Sequence, residues 1–391
     1  MELNKFSTNR LQLVKDKMIP SPCFLLEEKL LRQNLTLIKK VKDAAGINII
    51  LAFKAFAMWK TFPIIREYIV GATASSLWEA QLCFEEMGTK AHTYAAAYIP
   101  EDFEEVMKRS SHITFNSLSQ YAFYKDQVLS STDHISCGLR VNPEYSEVET
   151  EMYNPASPGS RLGIASGALK NGLPEGIEGL HFHVLCESDS FQLERTLKVF
   201  ETKYGYLFSQ IKWVNMGGGH LMTRKGYHTD HLVKILLDFK KRTGLDVILE
   251  PGSAFAWQTG DLHSTVLDVV NNHGIKTLML DVSFTAHMPD TLEMPYRPEI
   301  EGASSDVKTG GHNYRIGGMS CLAGDYMREY SFEEPVKIGD RIVLKDMMHY
   351  TMVKTSTFNG VKHPSIGMRR LDGTVEIFKE FGYEDYRGRL S

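Results

Sequence analysis

A chain of 391 residues, 43% apolar and 24% charged, has the composition of an ordinary globular protein and enough length for one large domain or two to three average ones. The formal net charge of −4, without any long block of like charges, speaks against a nucleic-acid-binding tail, and no apolar run approaches the ~18 residues of a membrane span. The N-terminus shows no apolar signal-peptide core. The five cysteines (Cys23, Cys83, Cys137, Cys186 and Cys321) are scattered, odd in number and without C-x-x-C spacing, which argues against a disulfide framework or zinc ribbon and fits a reducing cytoplasm.

Taken in chain order, apolar strand-like runs alternate with helix-like segments. "INIILAFKA" (47–55), "GATASS" (71–76), "AHTYAAA" (91–97) and "HITFNS" (112–117) are each followed by a helical pattern. "HISCGLRVNP" (134–143) leads instead into a Gly/Pro/Ser-rich loop. "GLHFHVL" (179–185), "IKWVNMGGG" (211–219) and "DVILEPGSA" (246–254) complete the set. Eight β-α units of this length predict a (β/α)8 barrel, and the continuous apolar strands fit a parallel sheet covered by helices. A doubly wound sheet is the competing arrangement. From residue 263 onward "STVLDVVNN", "IKTLMLDVSF", "RIVLKDMMHYTMV" and "GTVEIFKEFGY" read as strands separated by turns. The division expected is therefore a barrel over 28–262 and a β-domain over 263–391, to which residues 1–27 add a strand.

Barrel chemistry gathers at the C-terminal ends of the strands. Lys54 ends the first. It is either a lysine whose stem is buried while the amine reaches solvent, or a desolvated amine able to condense with a carbonyl compound. Gly217, Gly218 and Gly219 end the seventh strand, where backbone N–H groups can approach an anion; Glu250, Pro251, Gly252 and Ser253 follow the eighth. Glu250 suits a structural ion pair or a cationic ring nitrogen. His181 and His183 share one strand face, and with Cys186 and Glu187 nearby a metal is conceivable. Their spacing matches no zinc pattern, however, so stacking or hydrogen bonding is the expected role. An amine, an anion cradle and a carboxylate on strands one, seven and eight together describe a site for pyridoxal 5'-phosphate.

The segments "LAFKAF", "ATASSLWEA", "GLHFHVLCES", "NMGGGH", "LEPGSAF", "DVSFTAHMPDTLEMPYRP", "GGMSCLAGDYM" and "TSTFNG" run from residue 51 to 360. On them the chain resembles the fold-type III pyridoxal phosphate decarboxylases, the ornithine and diaminopimelate decarboxylase group with the alanine-racemase barrel. It is most like the branch acting on carboxynorspermidine and carboxyspermidine. The resemblance implies a homodimer with active sites shared across its interface and a cationic polyamine substrate. By motif, Lys54 resembles the lysine that holds the cofactor and His183 the imidazole stacked on its ring. Gly218, Gly219, Gly252 and Ser253 would cradle its phosphate, Tyr350 would reach cofactor or phosphate, and Glu250 would hold the ring nitrogen. Cys321 resembles the catalytic cysteine that comes from the other subunit.

Asp290, Glu293 and Asp325 are candidates for the distal positive charge of a polyamine, Tyr296 for stacking on it, Arg297 for a carboxylate or a neighbour, and Arg140 for a network near the cofactor. Ornithine decarboxylases read arginine where this chain has Ser253, and an acid where it has Leu322. Both differences speak against ornithine. A related decarboxylase for diaminopimelate, ornithine or arginine, an amino-acid racemase, and a non-catalytic cofactor carrier are the alternatives. Glu250 itself favours decarboxylation over racemisation, because a protonated ring nitrogen is the stronger electron sink.

Overall fold

The computed structural model describes residues 19–294 and 296–391, so the expectation that the start of the chain joins the β-domain lies outside the described residues for 1–18. Two compact units divide at Leu31/Arg32 and Phe255/Ala256, a few residues from the sequence-based boundaries.

The unit Arg32–Phe255 is a barrel of eight parallel strands: residues 48–52, Ala72–Ala74, Ala91–Tyr94, Ser110–Phe115, Ser136–Asn142, Ile177–His181, Trp213–Asn215 and Asp246–Leu249. The first is broken at Ile50. Asn48–Ile49 pairs with Asp246–Leu249, Leu51–Ala52 pairs with Ala72–Ala74, and the Ile50 N–H donates to Leu249 O at 3.0 Å. Both ends of the sheet thus meet on one segment, and the sheet closes, whereas a doubly wound sheet would keep two free edges. The helices begin where short polar side chains can satisfy free N–H groups. Ser76 accepts from Glu79 N, Ser117 from Gln120 N, and Asp189 forms a capping box with Gln192. After the fifth strand only single turns form (Glu151–Tyr153 and Ser166–Leu169), and after the eighth the helix is reduced to Ser253–Ala256.

One aromatic side chain fills part of the barrel interior. The Trp213 indole fits because residues 138 and 179 are glycines: a Cβ at either would lie 2.3 or 2.1 Å from its ring. Its N–H donates to Ser136 Oγ at 2.8 Å, which satisfies the buried donor, and His112 meets it edge-on at 5.5 Å.

The second unit holds, among the described residues, a mixed sheet of nine strands. Cys23–Glu27 lies inside it, antiparallel to Gly260–Asn272 and parallel to Ser365–Arg369. The pattern-based strand over 264–272 lies within Gly260–Asn272, whereas of the run over 275–284 only Ile275–Leu280 is strand and Phe284 opens a short helix. "RIVLKDMMHYTMV" departs from expectation: the strand is Arg341–Leu344 only. Asp346 and Tyr350 adopt φ of 60° and 53°, and a chain at positive φ cannot remain extended. His312–Gly317 and Tyr326–Phe332, not singled out by periodicity, form a hairpin pair in the same sheet.

Candidate active site

Three side chains meet at the C-terminal mouth of the barrel. Lys54 stands on the turn after the first strand, with its side chain open to the mouth rather than sealed in a core. Its amine is nonetheless closely surrounded by protein. This desolvation, with the Arg140 guanidinium beside it, lowers its pKa from the ordinary lysine value. His183 lies just past the strand Ile177–His181. Its Nδ1 accepts the Gly218 N–H at 3.3 Å and its Nε2 is 3.4 Å from Lys54 Nζ. A neutral ring with Nδ1 accepting carries its proton on Nε2, so that nitrogen offers a donor to an uncharged amine. Burial, then Lys54 and Arg140, push the His183 pKa well below the usual imidazole value.

Glu250 ends the eighth strand, 4% exposed. Asn215 Nδ2 donates to its Oε1 at 2.6 Å, and Thr73 adds a second side-chain hydrogen bond. Desolvation outweighs these donors and raises its pKa above the usual carboxylate value. His181, 1% exposed, has Nε2 3.6 Å from Glu250 Oε2, and neither of its ring nitrogens has a hydrogen-bond partner among the described residues. Arg140 is buried behind them. It donates to His183 O at 3.1 Å and stacks over Tyr94 at 4.7 Å.

The triple glycine packs where no side chain fits. A Cβ at Gly218 would lie 2.6 Å from Glu250 O, and one at Gly219 2.2 Å from Leu185 O. The N–H groups of Gly219 and Gly252 meet no protein acceptor among the described residues, and Ser253 follows on the same turn. His181, His183 and Glu250 also lie close enough for a cation by distance alone, with ligand atoms within 4.8 Å. Arg140 beside them already supplies positive charge to that space, and His183 Nδ1 is committed to Gly218. The donor set therefore suits an anionic, aldehyde-bearing ligand with a basic ring nitrogen better than a metal.

The remaining sequence-predicted residues lie in the second unit. Cys321 is exposed on a loop, and its backbone N–H donates to Asn359 Oδ1 at 2.6 Å. Asp290 and Glu293 stand on one short helix and both hold Lys354 Nζ, Glu293 at 3.0 Å. Asp325, expected to face a substrate cation, is instead 4% exposed, with its carboxylate taking the N–H groups of Phe284, Thr285 and Ser320. Arg297 donates to Ser305 O and Glu329 O and stacks on Tyr330, so its guanidinium serves backbone carbonyls rather than a carboxylate. Tyr296 is partly exposed and Tyr350 is half-buried. Sequence reasoning did not find Asn215, Thr73, Lys354 or Asn359. For Asn215 a signal existed, since it stands two residues before the glycine turn, where its Oδ1 accepts the Gly217 N–H at 2.9 Å.

A family model described as pyridoxal-dependent decarboxylase, C-terminal sheet domain, matches residues 75–348. The chain belongs to the pyridoxal-dependent decarboxylases. It is a carboxy-lyase. Over 389 residues, 99% of this chain and all of the relative, it is 50% identical to carboxyaminopropylagmatine decarboxylase of Synechocystis sp.. Over 378 residues, 94% of this chain and 98% of the relative, it is 43% identical to carboxynorspermidine/carboxyspermidine decarboxylase of Campylobacter jejuni. The crystal structure of the Campylobacter jejuni carboxynorspermidine decarboxylase with norspermidine superposes with a TM-score of 0.87 at 40% identity, covering 95% of this chain and all of that one. Diaminopimelate decarboxylase of Helicobacter pylori shares the fold, with a TM-score of 0.82 at 16% identity over 95% of this chain and 98% of that one. The barrel mouth fits the cofactor named by the family: an amine with a lowered pKa, a buried carboxylate, and a glycine turn with free N–H groups.

Proposed function

We propose that this decarboxylase binds pyridoxal 5'-phosphate through Lys54 and converts carboxynorspermidine or carboxyspermidine to norspermidine or spermidine. The observation that carries the reading is the convergence of Lys54, His183 and Glu250 on one glycine-lined barrel mouth. When bound, the cofactor would supply an electrophilic aldehyde carbon and a ring that accepts the electron pair left on Cα as CO2 departs.

Every other task falls to residues of the chain. Lys54, poorer in protons than an ordinary lysine, presents a nucleophilic amine and takes it back on product release. His183 offers a ring face beside that amine. Glu250 keeps a proton on the ring nitrogen, and Asn215 and Thr73 hold its carboxylate in place. The N–H groups of Gly219 and Gly252, with Ser253, receive the phosphate, and Tyr350 reaches it. Cys321 of a second copy protonates Cα, which requires a homodimer. Asp290 and Glu293 receive the distal ammonium, with Tyr296 against its methylenes. Among the described residues no helix is long and apolar enough to cross a membrane, and all five cysteines are free, which supports a cytoplasmic enzyme.

A second reading, carboxyaminopropylagmatine as substrate, is favoured by the 50% identity to a relative of that name over 99% of the chain. It differs at the distal end, where a planar guanidinium replaces an ammonium. Purified protein supplied with each carboxylated amine in turn decides: kcat/KM from CO2 release ranks the substrates. Racemisation of an amino acid without CO2 would overturn both readings. Borohydride should fix the cofactor to a Lys54 peptide, and labelling elsewhere would remove Lys54 from the site.

A further inference from the structure

Cys321 sits on an exposed loop, and its Sγ makes no hydrogen bond among the described residues. A thiol on a free loop would sample many positions, yet this loop is fastened at three points. The first is the backbone N–H of Cys321 itself, which donates to Asn359 Oδ1 at 2.6 Å. Asn359 holds that acceptor from φ 61°, a left-handed conformation that asparagine tolerates better than most side chains.

The second is Asp325. Its buried carboxylate accepts from Ser320 N at 3.1 Å on the loop, and from Phe284 N at 2.7 Å and Thr285 N at 3.0 Å on a separate helix start. The third closes the loop on itself: Gly318 N donates to Asp325 O at 2.7 Å, and Asp325 N to Leu322 O at 3.0 Å. A Cβ at Gly318 would lie 2.4 Å from the Asp325 carboxylate, so the closure needs glycine there. Burying a carboxylate costs several kcal/mol unless its lone pairs are satisfied. Here every bond it makes goes to backbone N–H groups that shape the segment carrying the thiol.

We propose that Asn359 and Asp325 are positioning residues that hold the Cys321 thiol at the one place from which it can deliver a proton to Cα. The inference rests on the reading of Cys321 as the proton donor. In that step the S–H bond breaks, the proton joins the electron pair left on Cα by CO2, and the negative charge stays on Sγ. Neither Asn359 nor Asp325 exchanges a proton. They act through the cysteine, and substrate binding does not pass through them.

The test is a double-mutant cycle on the full-length, cofactor-loaded enzyme. Asn359→Ala is expected to lower kcat about tenfold or more while KM stays within about twofold. In Cys321→Ala the thiol is already gone, so adding Asn359→Ala is expected to change nothing further. Asn359→Asp keeps an acceptor for the Cys321 N–H and is expected to recover most of the lost rate. Asp325→Asn would set an amide N–H against the Ser320 N–H and is expected to behave like Asn359→Ala. Borohydride labelling of Lys54 and the melting temperature, measured on each variant, report whether it still folds and loads cofactor.

If the Asn359→Ala loss multiplies fully on top of Cys321→Ala, or if Asn359→Ala turns over like the parent, the positioning role is overturned while the cysteine's stands. A Cys321→Ala enzyme with unchanged kcat would instead overturn the reading of Cys321 itself, and the positioning role with it.

Discussion

Asn215→Ala removes two hydrogen bonds at once, one to a charge and one to the backbone. The 2.6 Å bond from Nδ2 to the buried Glu250 carboxylate is charge-assisted and worth roughly 1.5–3 kcal/mol. The 2.9 Å bond from Gly217 N–H to Oδ1 leaves a buried donor orphaned, at a cost of about 1–3 kcal/mol unless water enters the space vacated. A polar space of that kind admits water, so the expected loss of stability is about 3 kcal/mol.

The functional consequence is separable. Losing this donor, which holds the carboxyl down against desolvation, raises the already elevated Glu250 pKa further. Glu250 must be ionised to hold the ring nitrogen's proton, and the acid limb of the kcat–pH profile moves upward with it. Denaturant melts give the stability loss, and a kcat–pH profile between weakly acidic and neutral pH gives the shift. An acid limb that stays in place while stability falls would show that Asn215 shapes the turn without tuning Glu250, and would refute the reasoning.

Glu250 also makes apo-protein stability depend on pH. Its folded pKa is raised, so the folded state holds that proton more tightly than the unfolded chain. Its contribution is full below the ordinary glutamate value of about 4.3 and falls as pH rises from there through the folded pKa. Denaturation of cofactor-free protein across this window should show the decline, and Glu250→Gln should flatten it; a slope surviving in Glu250→Gln belongs to other groups. Gly179→Ala would force a methyl to within 2.1 Å of the Trp213 ring and is expected to cost at least about 1–3 kcal/mol, partly recovered by Trp213→Leu. Recovery that fails would locate the strain elsewhere in the strand. Mixing inactive Lys54→Ala and Cys321→Ala chains should restore part of the activity if sites are shared between two copies, whereas no recovery would place each complete site in one chain. Lys354→Met frees Asp290 and Glu293 from their internal cation and should lower the KM for the polyamine substrate several-fold; an unchanged KM would assign the pair to structure alone.

Much of the fold was legible because its signals are local. Apolar runs of strand length, followed by Ser76, Ser117 and Asp189 as helix starts, identify β-α units without knowledge of any contact. Lys54, the glycine turn and Glu250 stand at strand ends, and strand ends can be counted along a chain. What the sequence did not reveal was partners. Asp325 reads as a free acid beside a cysteine, but its lone pairs go to Phe284 and Thr285, about forty positions earlier in the chain. Asp290 and Glu293 read as acids open to a cation, and nothing in their spacing announces Lys354, which holds both from 64 and 61 positions away.

Periodicity and residue chemistry by themselves pointed to a parallel sheet covered by helices, with a barrel ahead of a doubly wound sheet, and set an amine, a carboxylate and a glycine turn at its strand ends; closure itself was decided by pairing on both sides of Ile50. Only the tertiary structure decided which acids are still available to a ligand and which groups tune Glu250. Hydrogen bonds and ion pairs are settled by proximity in space, and strand and helix patterns record which face a side chain takes without recording which distant residue it will meet.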